Sequence, residues 1–116
     1  MSKPSSYQYT GTKGYIVQTA LNLPANPNDL LKAGWEDISH PKQAANGSHT
    51  YKDPDTGLRV RFDEPVPGSP GFAGKGHYHI LNPNATNSKD AYLDKDGNPV
   101  SKNSKESHIM PKEENS

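Results

Sequence analysis

The feature that most constrains this fold is a strict alternation of apolar and charged residues at positions 58–63, which read LRVRFD. Successive side chains of a β-strand point to opposite faces, so a strand here has one apolar face and one charged face. The three apolar residues form the first face, and Arg59 and Arg61 lie on the second. We therefore predict a strand that packs one side against a core and presents both arginines of the protein on the other.

The segment before this strand predicts its partner. Residues 48–52 read SHTYK, and the turn at residues 53–57 carries proline and glycine at positions that suit a tight turn. We predict an antiparallel hairpin from residues 48–52 and 58–63. Further short strands are predicted where β-forming residues alternate with turn signals. They cover residues 35–39, residues 77–81, a small hairpin of residues 92–93 and 98–100, and a last edge at residues 107–110.

Helices are predicted only before the first strand. Several positions in residues 15–21 share one helical face, although a strand remains possible there. In residues 26–34, Asn26 can cap a helix, Pro27 suits its first position and Gly34 suits the position after its end. Residues 65–76 hold three prolines and four glycines, so we expect a loop that could form a rim or lid.

Together these elements predict an α+β fold in which short N-terminal helices pack on a curved antiparallel sheet. A chain of 116 residues has room for a single domain. If it were divided into two domains, each core would bury too little apolar surface to offset the entropy of folding. We expect residues 1–10 to be a flexible N-terminus, residues 11–111 to form the domain and residues 112–116 to be a disordered tail.

The composition excludes several classes of protein and site. Only 29% of the residues are hydrophobic and the mean hydropathy is -1.01, so the core must be thin. Cysteine is absent, which removes disulfides, thiolate metal sites and cysteine nucleophiles. No stretch approaches the roughly 20 apolar residues of a membrane span. The 13 basic and 13 acidic residues balance, so any contact with nucleic acid must be local.

His77 and His79 are the residues best suited to chemistry. In a strand their side chains leave the same face about 6.6 Å apart along the chain, while Tyr78 and Ile80 point the other way. If Tyr78 joins the core, both imidazoles share the face of the arginines. Such a group suits RNA cleavage, because two histidines can serve as base and acid near neutral pH while a guanidinium holds the developing negative charge. No metal ion or other cofactor is then needed, and Lys75 is a further candidate for phosphate contact.

Other interpretations of the histidine pair stay open. The same pattern occurs in metal sites, and His49 or His108 could complete a three-histidine zinc site with it. Alternatively, the histidines and arginines are exposed strand residues with no special role. His40, which precedes Pro41, is expected to be a turn residue, and Trp35 is expected in the core.

Four segments of the chain carry a family resemblance. They read GWEDISHP at residues 34–41, TGLRVRFD at residues 56–63, GKGHYHILNPN at residues 74–84 and YLDKDGNPV at residues 92–100. Together they resemble the C-terminal toxin domains of bacterial polymorphic toxins, which include contact-dependent growth inhibition effectors. The resemblance covers residues 30–111, and its most specific part is the charged strand followed by the Pro/Gly loop and the histidine strand.

The resemblance implies a ribonuclease-like fold of the barnase/EndoU/colicin/RelE type, whose concave sheet face is the active cleft. It implies a secreted or surface-delivered, metal-independent ribonuclease that often attacks tRNA in the cytoplasm of the target cell and that a cognate immunity protein neutralises. The implied catalytic residues are His77, His79, Arg59, Arg61, His108 and Thr86, and the implied substrate-binding residues are Lys75 and Tyr92. This chain departs from the family in its net charge of zero, which favours a selective substrate or a helper protein.

Two rival functions stay open at this point. The first is a metal-dependent DNase toxin that uses the histidine pair with His49 or His108. The second is a non-catalytic module that binds carbohydrate or protein. The low charge favours this module, as do three tyrosines expected to be exposed, namely Tyr7, Tyr9 and Tyr51.

Overall fold

A computed structural model describes residues 13–112 of the chain. Within these residues lie three short helices, α1 (Lys13–Leu21), α2 (Asn28–Lys32) and α3 (Pro41–Ala45). The strands are β1 (Glu36–Asp37), β2 (Ser48–Lys52), β3 (Arg59–Asp63), β4 (His77–Leu81), β5 (Tyr92–Leu93) and β6 (Pro99–Val100). Short 3₁₀ turns cover Gly71–Gly74, Ser88–Asp90 and Lys105–Ser107. The flexible N-terminus expected at residues 1–10 lies outside the described residues, as do residues 113–116 of the expected tail. Lys112, the first residue of that tail, is described, and its amide donates to the Leu23 carbonyl at 2.8 Å.

The six strands form one antiparallel sheet in the order in which they occur in the chain. The predicted central hairpin is confirmed, because β2 pairs with β3 and Tyr51 lies opposite Val60. Its turn closes at Gly57, whose φ of +80° lies in the left-handed region that favours glycine. β4 has the predicted bounds and pairs with β3 on one side and β5 on the other. The α+β class with an antiparallel sheet is therefore confirmed.

One face of the sheet forms the apolar core, as the alternation in β3 predicts. The buried side chains on this face are Tyr51, Val60, Phe62, Tyr78, Ile80 and Leu93. α1, which confirms the helix predicted at residues 15–21, adds Ile16 and Ala20 to the same cluster. The Tyr78 hydroxyl donates a hydrogen bond to the Pro24 carbonyl at 2.6 Å. Since each large apolar side chain contributes about 1.5–3 kcal/mol on burial, this face holds the sheet in place and leaves the opposite face for function.

The region between α2 and β2 differs from the sequence-based prediction. The strand expected at residues 35–39 is reduced to β1, and Trp35 is only partly buried against the core. His40, predicted as a turn residue, caps α3 instead. Its Nδ1 accepts a hydrogen bond from the Lys42 amide, and its own amide donates to the Gln43 side chain. This is a capping box in which histidine takes the place of serine or threonine.

The edge predicted at residues 107–110 is reduced to a single bridge. Ile109 exchanges two backbone hydrogen bonds of 2.8 Å with Tyr78. Because β5 pairs only with the later residues of β4, Ile109 occupies the edge that is free at the start of β4. The bridge therefore holds His108 beside His77. No helix among residues 13–112 combines the length and the apolar character that crossing a lipid bilayer requires.

Candidate active site

The second face of the sheet forms the floor of an open cleft of about 640 Å³. Strands β2 to β5 supply the floor, and the loops after β3 and β6 supply part of the rim. The lining residues are Asn46, Gly47, Ser48, Arg61, Asp63, Glu64, Val66, Ala73, His77, His79, Tyr92, Lys102, Asn103 and His108. Both β4 histidines and Arg61 thus open into one cavity, while Tyr78 is turned into the core, as the strand alternation predicts.

Asp63 is the residue on which the polar groups of the cleft converge. The sheet register places Ser48 and His77 directly opposite it on the two neighbouring strands. Ser48 Oγ donates to Asp63 Oδ1 at 2.9 Å. The Nε2 atoms of His77 and His79 both lie 3.4 Å from Oδ2. Because this side chain is only 20% exposed, its negative charge has to be compensated by these neighbours.

Arg61 supplies that compensating charge. Its Nε and Nη2 donate to the two carboxylate oxygens of Asp63 at 2.8 Å and 3.0 Å, which is a bidentate pair. Its Nη1 donates to the Tyr92 hydroxyl at 2.9 Å. A guanidinium has five N–H donors, so three are engaged in these bonds and two are left for a ligand in the cleft. The arginine is thereby fixed in place before any substrate arrives.

Backbone carbonyls fix the orientation of both histidine rings. His77 Nδ1 lies 2.9 Å from the Lys75 carbonyl, and His79 Nδ1 lies 3.0 Å from the Ser107 carbonyl. Because a carbonyl oxygen can only accept, Nδ1 carries hydrogen in each ring, and Nε2 is the atom that faces Asp63. The contact between Nε2 and a carboxylate is attractive only when Nε2 is protonated. The geometry therefore favours a proton held among these two rings and the carboxylate.

The two rings differ in their pKa values because their neighbours differ. Residues His77 and His79 are 6% and 4% exposed. Burial acts to lower the pKa of His77, but its hydrogen bonds to Asp63 and to the Lys75 carbonyl outweigh burial and raise it above the ordinary value. Burial lowers the pKa of His79, and the charges of His77 and His108 lower it further, which Asp63 does not offset.

The carboxyl of Asp63 shows the opposite balance. Burial acts to raise its pKa, but hydrogen bonds from both histidines, Arg61 and Ser48 hold that pKa far below its usual range. Asp63 is therefore an anion between two imidazoles near neutral pH. On either side of it, the pKa of His77 is raised and that of His79 is lowered. General acid–base catalysis uses such a pair of groups, whose pKa values are shifted in opposite directions at one site.

His108 is a third ring in the same cluster. Its centroid lies 5.0 Å from that of His77 and 4.8 Å from that of His79. Phe72 stacks on it at 4.3 Å, and its Nδ1 lies 3.2 Å from the Lys105 carbonyl. The structure thus brings His108, predicted for the site from its possible role as a metal ligand and from the resemblance, into contact with the β4 pair.

The three rings are also the group that could hold a metal ion. One ring nitrogen from each of His77, His79 and His108 lies within 4.8 Å of the other two. His49, the other third ligand considered from the sequence, is not part of this group. Its side chain leaves the opposite face of β2, and its Nε2 lies 2.6 Å from Glu64 Oε2.

Of the eight residues predicted for the site, five line the cleft and three do not. Arg59 shares the face of the cleft but is exposed beyond its lining. Lys75 orients a histidine through its carbonyl, whereas its side chain is exposed outside the lining. Thr86 is exposed and its Oγ1 donates to Asp90 Oδ2 at 2.8 Å. Tyr92 does line the cleft, where it stacks on a histidine ring at 4.7 Å.

Three important cleft residues are missing from the predicted set. Asp63 lies two positions after Arg61, so the alternation already placed it on the charged face and the signal was present in the sequence. Ser48 reaches Asp63 only through the pairing register of β2 and β3, which the sequence does not display. Lys102 is an exposed cation on the rim, and no sequence pattern points to it.

One of the three tyrosines that favoured a binding module is not exposed. Tyr51, expected to be exposed, is 4% exposed and belongs to the core. It packs on the apolar face of β2 because its side chain alternates with those of Ser48 and Thr50. Tyr7 and Tyr9 lie outside the described residues.

Comparison of the chain with protein-family models, with curated proteins and with solved structures gives no match. The resemblance carried by the four sequence segments therefore stays a prediction.

Proposed function

We propose that this chain is a metal-independent endoribonuclease domain of an antibacterial toxin. The observation that carries the enzymatic part is the convergence of His77, His79 and Arg61 on the Asp63 carboxylate within an open cleft. The toxin role, a ribonuclease-toxin fold, delivery from a producing cell into the cytoplasm of a target cell and a cognate immunity protein are proposed from the sequence resemblance alone.

The cleft residues support cleavage by transesterification. One imidazole of the β4 pair accepts the proton of a ribose 2′-hydroxyl while that oxygen attacks the adjacent phosphorus. The bond between phosphorus and the 5′-oxygen breaks, and the other imidazole, in its protonated form, donates its proton to that oxygen. The products are a 2′,3′-cyclic phosphate and a 5′-hydroxyl. The two ring planes differ by 85°, so they can approach a phosphate from different directions.

Arg61 stabilises the charge that develops in this reaction. Its guanidinium is held by Asp63 and Tyr92, so its two remaining donors can bind the nonbridging oxygens without a large rearrangement during the reaction. Lys102 on the rim adds a second positive charge to the cleft. His108 packs against both rings and limits the directions from which water reaches them.

The zero net charge narrows the class of RNA that fits this proposal. A protein without a basic surface gains little from the phosphate backbone far from its cleft, so its RNA affinity depends on few local contacts. We therefore propose a structured RNA such as tRNA, which presents a single loop to the cleft, as the substrate. Cleavage should then depend only weakly on salt concentration.

The test is cleavage of tRNA and of a DNA of matched sequence by the EDTA-treated chain, followed on denaturing gels. We expect cleavage of the RNA and none of the DNA, because DNA lacks the attacking 2′-hydroxyl. His77→Gln and His79→Gln should each lower the rate by roughly 10²–10⁴-fold. Glutamine keeps a polar amide near the position of Nε2, but it does not exchange a proton near neutral pH.

His49→Gln is the matched control, because His49 contacts Glu64 on the other face of β2. Its rate should stay within about twofold of the wild type. Thermal melts of all variants separate loss of chemistry from loss of fold. Full activity in both His77→Gln and His79→Gln would show that the two histidines are not the acid and base of the reaction.

A metal-dependent nuclease is the second candidate, favoured by the three-histidine cluster. In that case an ion would be held by His77, His79 and His108 and would supply a Lewis acid at the cleft. Cleavage of DNA that needs added metal and stops with chelator would select this candidate over the first.

A further inference from the structure

We propose that His77, His79 and His108 form a binding site for one divalent transition metal ion such as Zn²⁺, and that the bound ion silences the cleft. The first half of this proposal stands on the geometry of the three rings. The second half rests on the proposed ribonuclease function.

The ring positions are close to those of a zinc site. One nitrogen from each ring lies within 4.8 Å of the other two. Histidine nitrogens lie about 2.0–2.1 Å from a tetrahedral zinc ion and so roughly 3.3 Å from one another, which requires the rings to close by about 1 Å each. His108 adjoins the single bridge at Ile109 rather than a full strand, so its backbone has room for its share of this movement.

The rings are also oriented as metal ligands are. In all three, Nδ1 lies at hydrogen-bond distance from a backbone carbonyl, namely that of Lys75, Ser107 or Lys105. Such bonds keep hydrogen on Nδ1, so a metal ion would bind Nε2 in place of the proton there, which is how histidine ligands are commonly held. Three separate carbonyls thus hold the three rings in the same tautomer, which rings that touch by chance would not require.

An anionic oxygen lies next to the cluster. Asp63 Oδ2 lies 3.4 Å from two of the Nε2 atoms and offers an anionic oxygen next to the ion. Arg61 keeps part of that charge engaged through its bidentate pair. We therefore expect three histidine ligands with a fourth position open to the cleft, the ligand set to which zinc is suited.

The ion would silence cleavage because it uses the same lone pairs as the acid–base reaction. A histidine whose Nε2 is bound to a metal neither accepts nor donates a proton there. Zinc should therefore inhibit RNA cleavage by the wild-type chain, and EDTA should restore it. A metal-dependent nuclease would instead be activated by zinc and inhibited by EDTA.

The binding test uses the full chain, stripped with EDTA and dialysed, and titrated with ZnCl₂ by calorimetry. A parallel titration with Co²⁺ reports ligand geometry by visible absorption. We expect one ion per chain, and at least tenfold weaker binding in His108→Ala. That variant should fold, because His108 is partly exposed and lies outside the core. His49→Ala is the control and should bind like the wild type.

The outcomes distinguish failure of the metal site, failure of the silencing and failure of the ribonuclease function. Absence of zinc binding, or equal binding in wild type and His108→Ala, overturns the metal site whatever the activity. Zinc binding without any RNA cleavage in EDTA leaves the site standing and overturns the ribonuclease function. Zinc binding that accelerates cleavage overturns the silencing and supports the metal-dependent alternative.

Discussion

Side chains at the centre of the sheet are buried on both of its faces, but by different means. Tyr78 and His79 are neighbours in β4 and are 0% and 4% exposed. Tyr78 is enclosed by apolar side chains such as Phe62, whose ring centroid lies 4.9 Å away. His79 is enclosed by a carboxylate, a carbonyl and two aromatic rings. The apolar face stabilises the fold, whereas the other face lines the open cleft with ionisable groups.

The largest effect should come from breaking the apolar face. Tyr78→Ala should lower the free energy of unfolding by about 3–5 kcal/mol, because it removes a fully buried ring from a thin core. Tyr78→Phe should cost only about 1 kcal/mol, because it removes the hydrogen bond to the Pro24 carbonyl and keeps the ring. Urea titrations measure both changes. Equal losses in the two variants would contradict the role given to the ring.

The next effect separates the two arginines of β3. Arg61→Lys should lower the cleavage rate by roughly 100-fold, because lysine keeps the charge but loses the fork that binds Asp63 and Tyr92. Arg59→Lys should leave the rate within about twofold, because Arg59 lies outside the cleft lining. The rates are compared at equal folded protein. Similar losses in both variants would show that the cleft extends along the whole of β3.

The smallest effect concerns an ionisable group on the core side. The Tyr15 hydroxyl donates to Asp53 at 2.7 Å, and burial raises the pKa of Tyr15 to about 12 from the ordinary value near 10. The fold therefore favours the protonated phenol. Its contribution to stability is present below pH 10 and is lost as the pH rises from about 10 to about 12.

Unfolding free energies of the wild type and Tyr15→Phe between pH 8 and 12 test this, since the titration of other groups cancels in the difference. The advantage of the wild type over Tyr15→Phe should shrink across that window. A constant difference would mean that Tyr15 titrates alike in the folded and unfolded chain.

The core side of the molecule was largely predictable from the sequence. Three local patterns predicted it correctly. They are the alternation in β3, the turn at Gly57 that joins β2 to β3, and the run of β-forming residues in β4. α3 was missed because its cap is His40, a residue that rarely caps helices, placed before a proline that also fits a turn.

The cleft side was predictable only as far as side-chain alternation reaches. Alternation put His77, His79 and Arg61 on one face, and the structure brings them together. It could not separate Arg59 from Arg61, because the register between β3 and β4 depends on the path of the intervening loop. Thr86 was included on resemblance, and its bond to Asp90 had no signature in the sequence.

The most direct test of the central claim is the chemistry of the cut ends. A short RNA cleaved by the EDTA-treated chain should be analysed by mass spectrometry. If His77 and His79 act as base and acid, the fragments carry a 2′,3′-cyclic phosphate on one side and a 5′-hydroxyl on the other. Fragments with a 3′-hydroxyl and a 5′-phosphate would show that water attacked the phosphorus, and they would contradict the acid–base mechanism of this cleft.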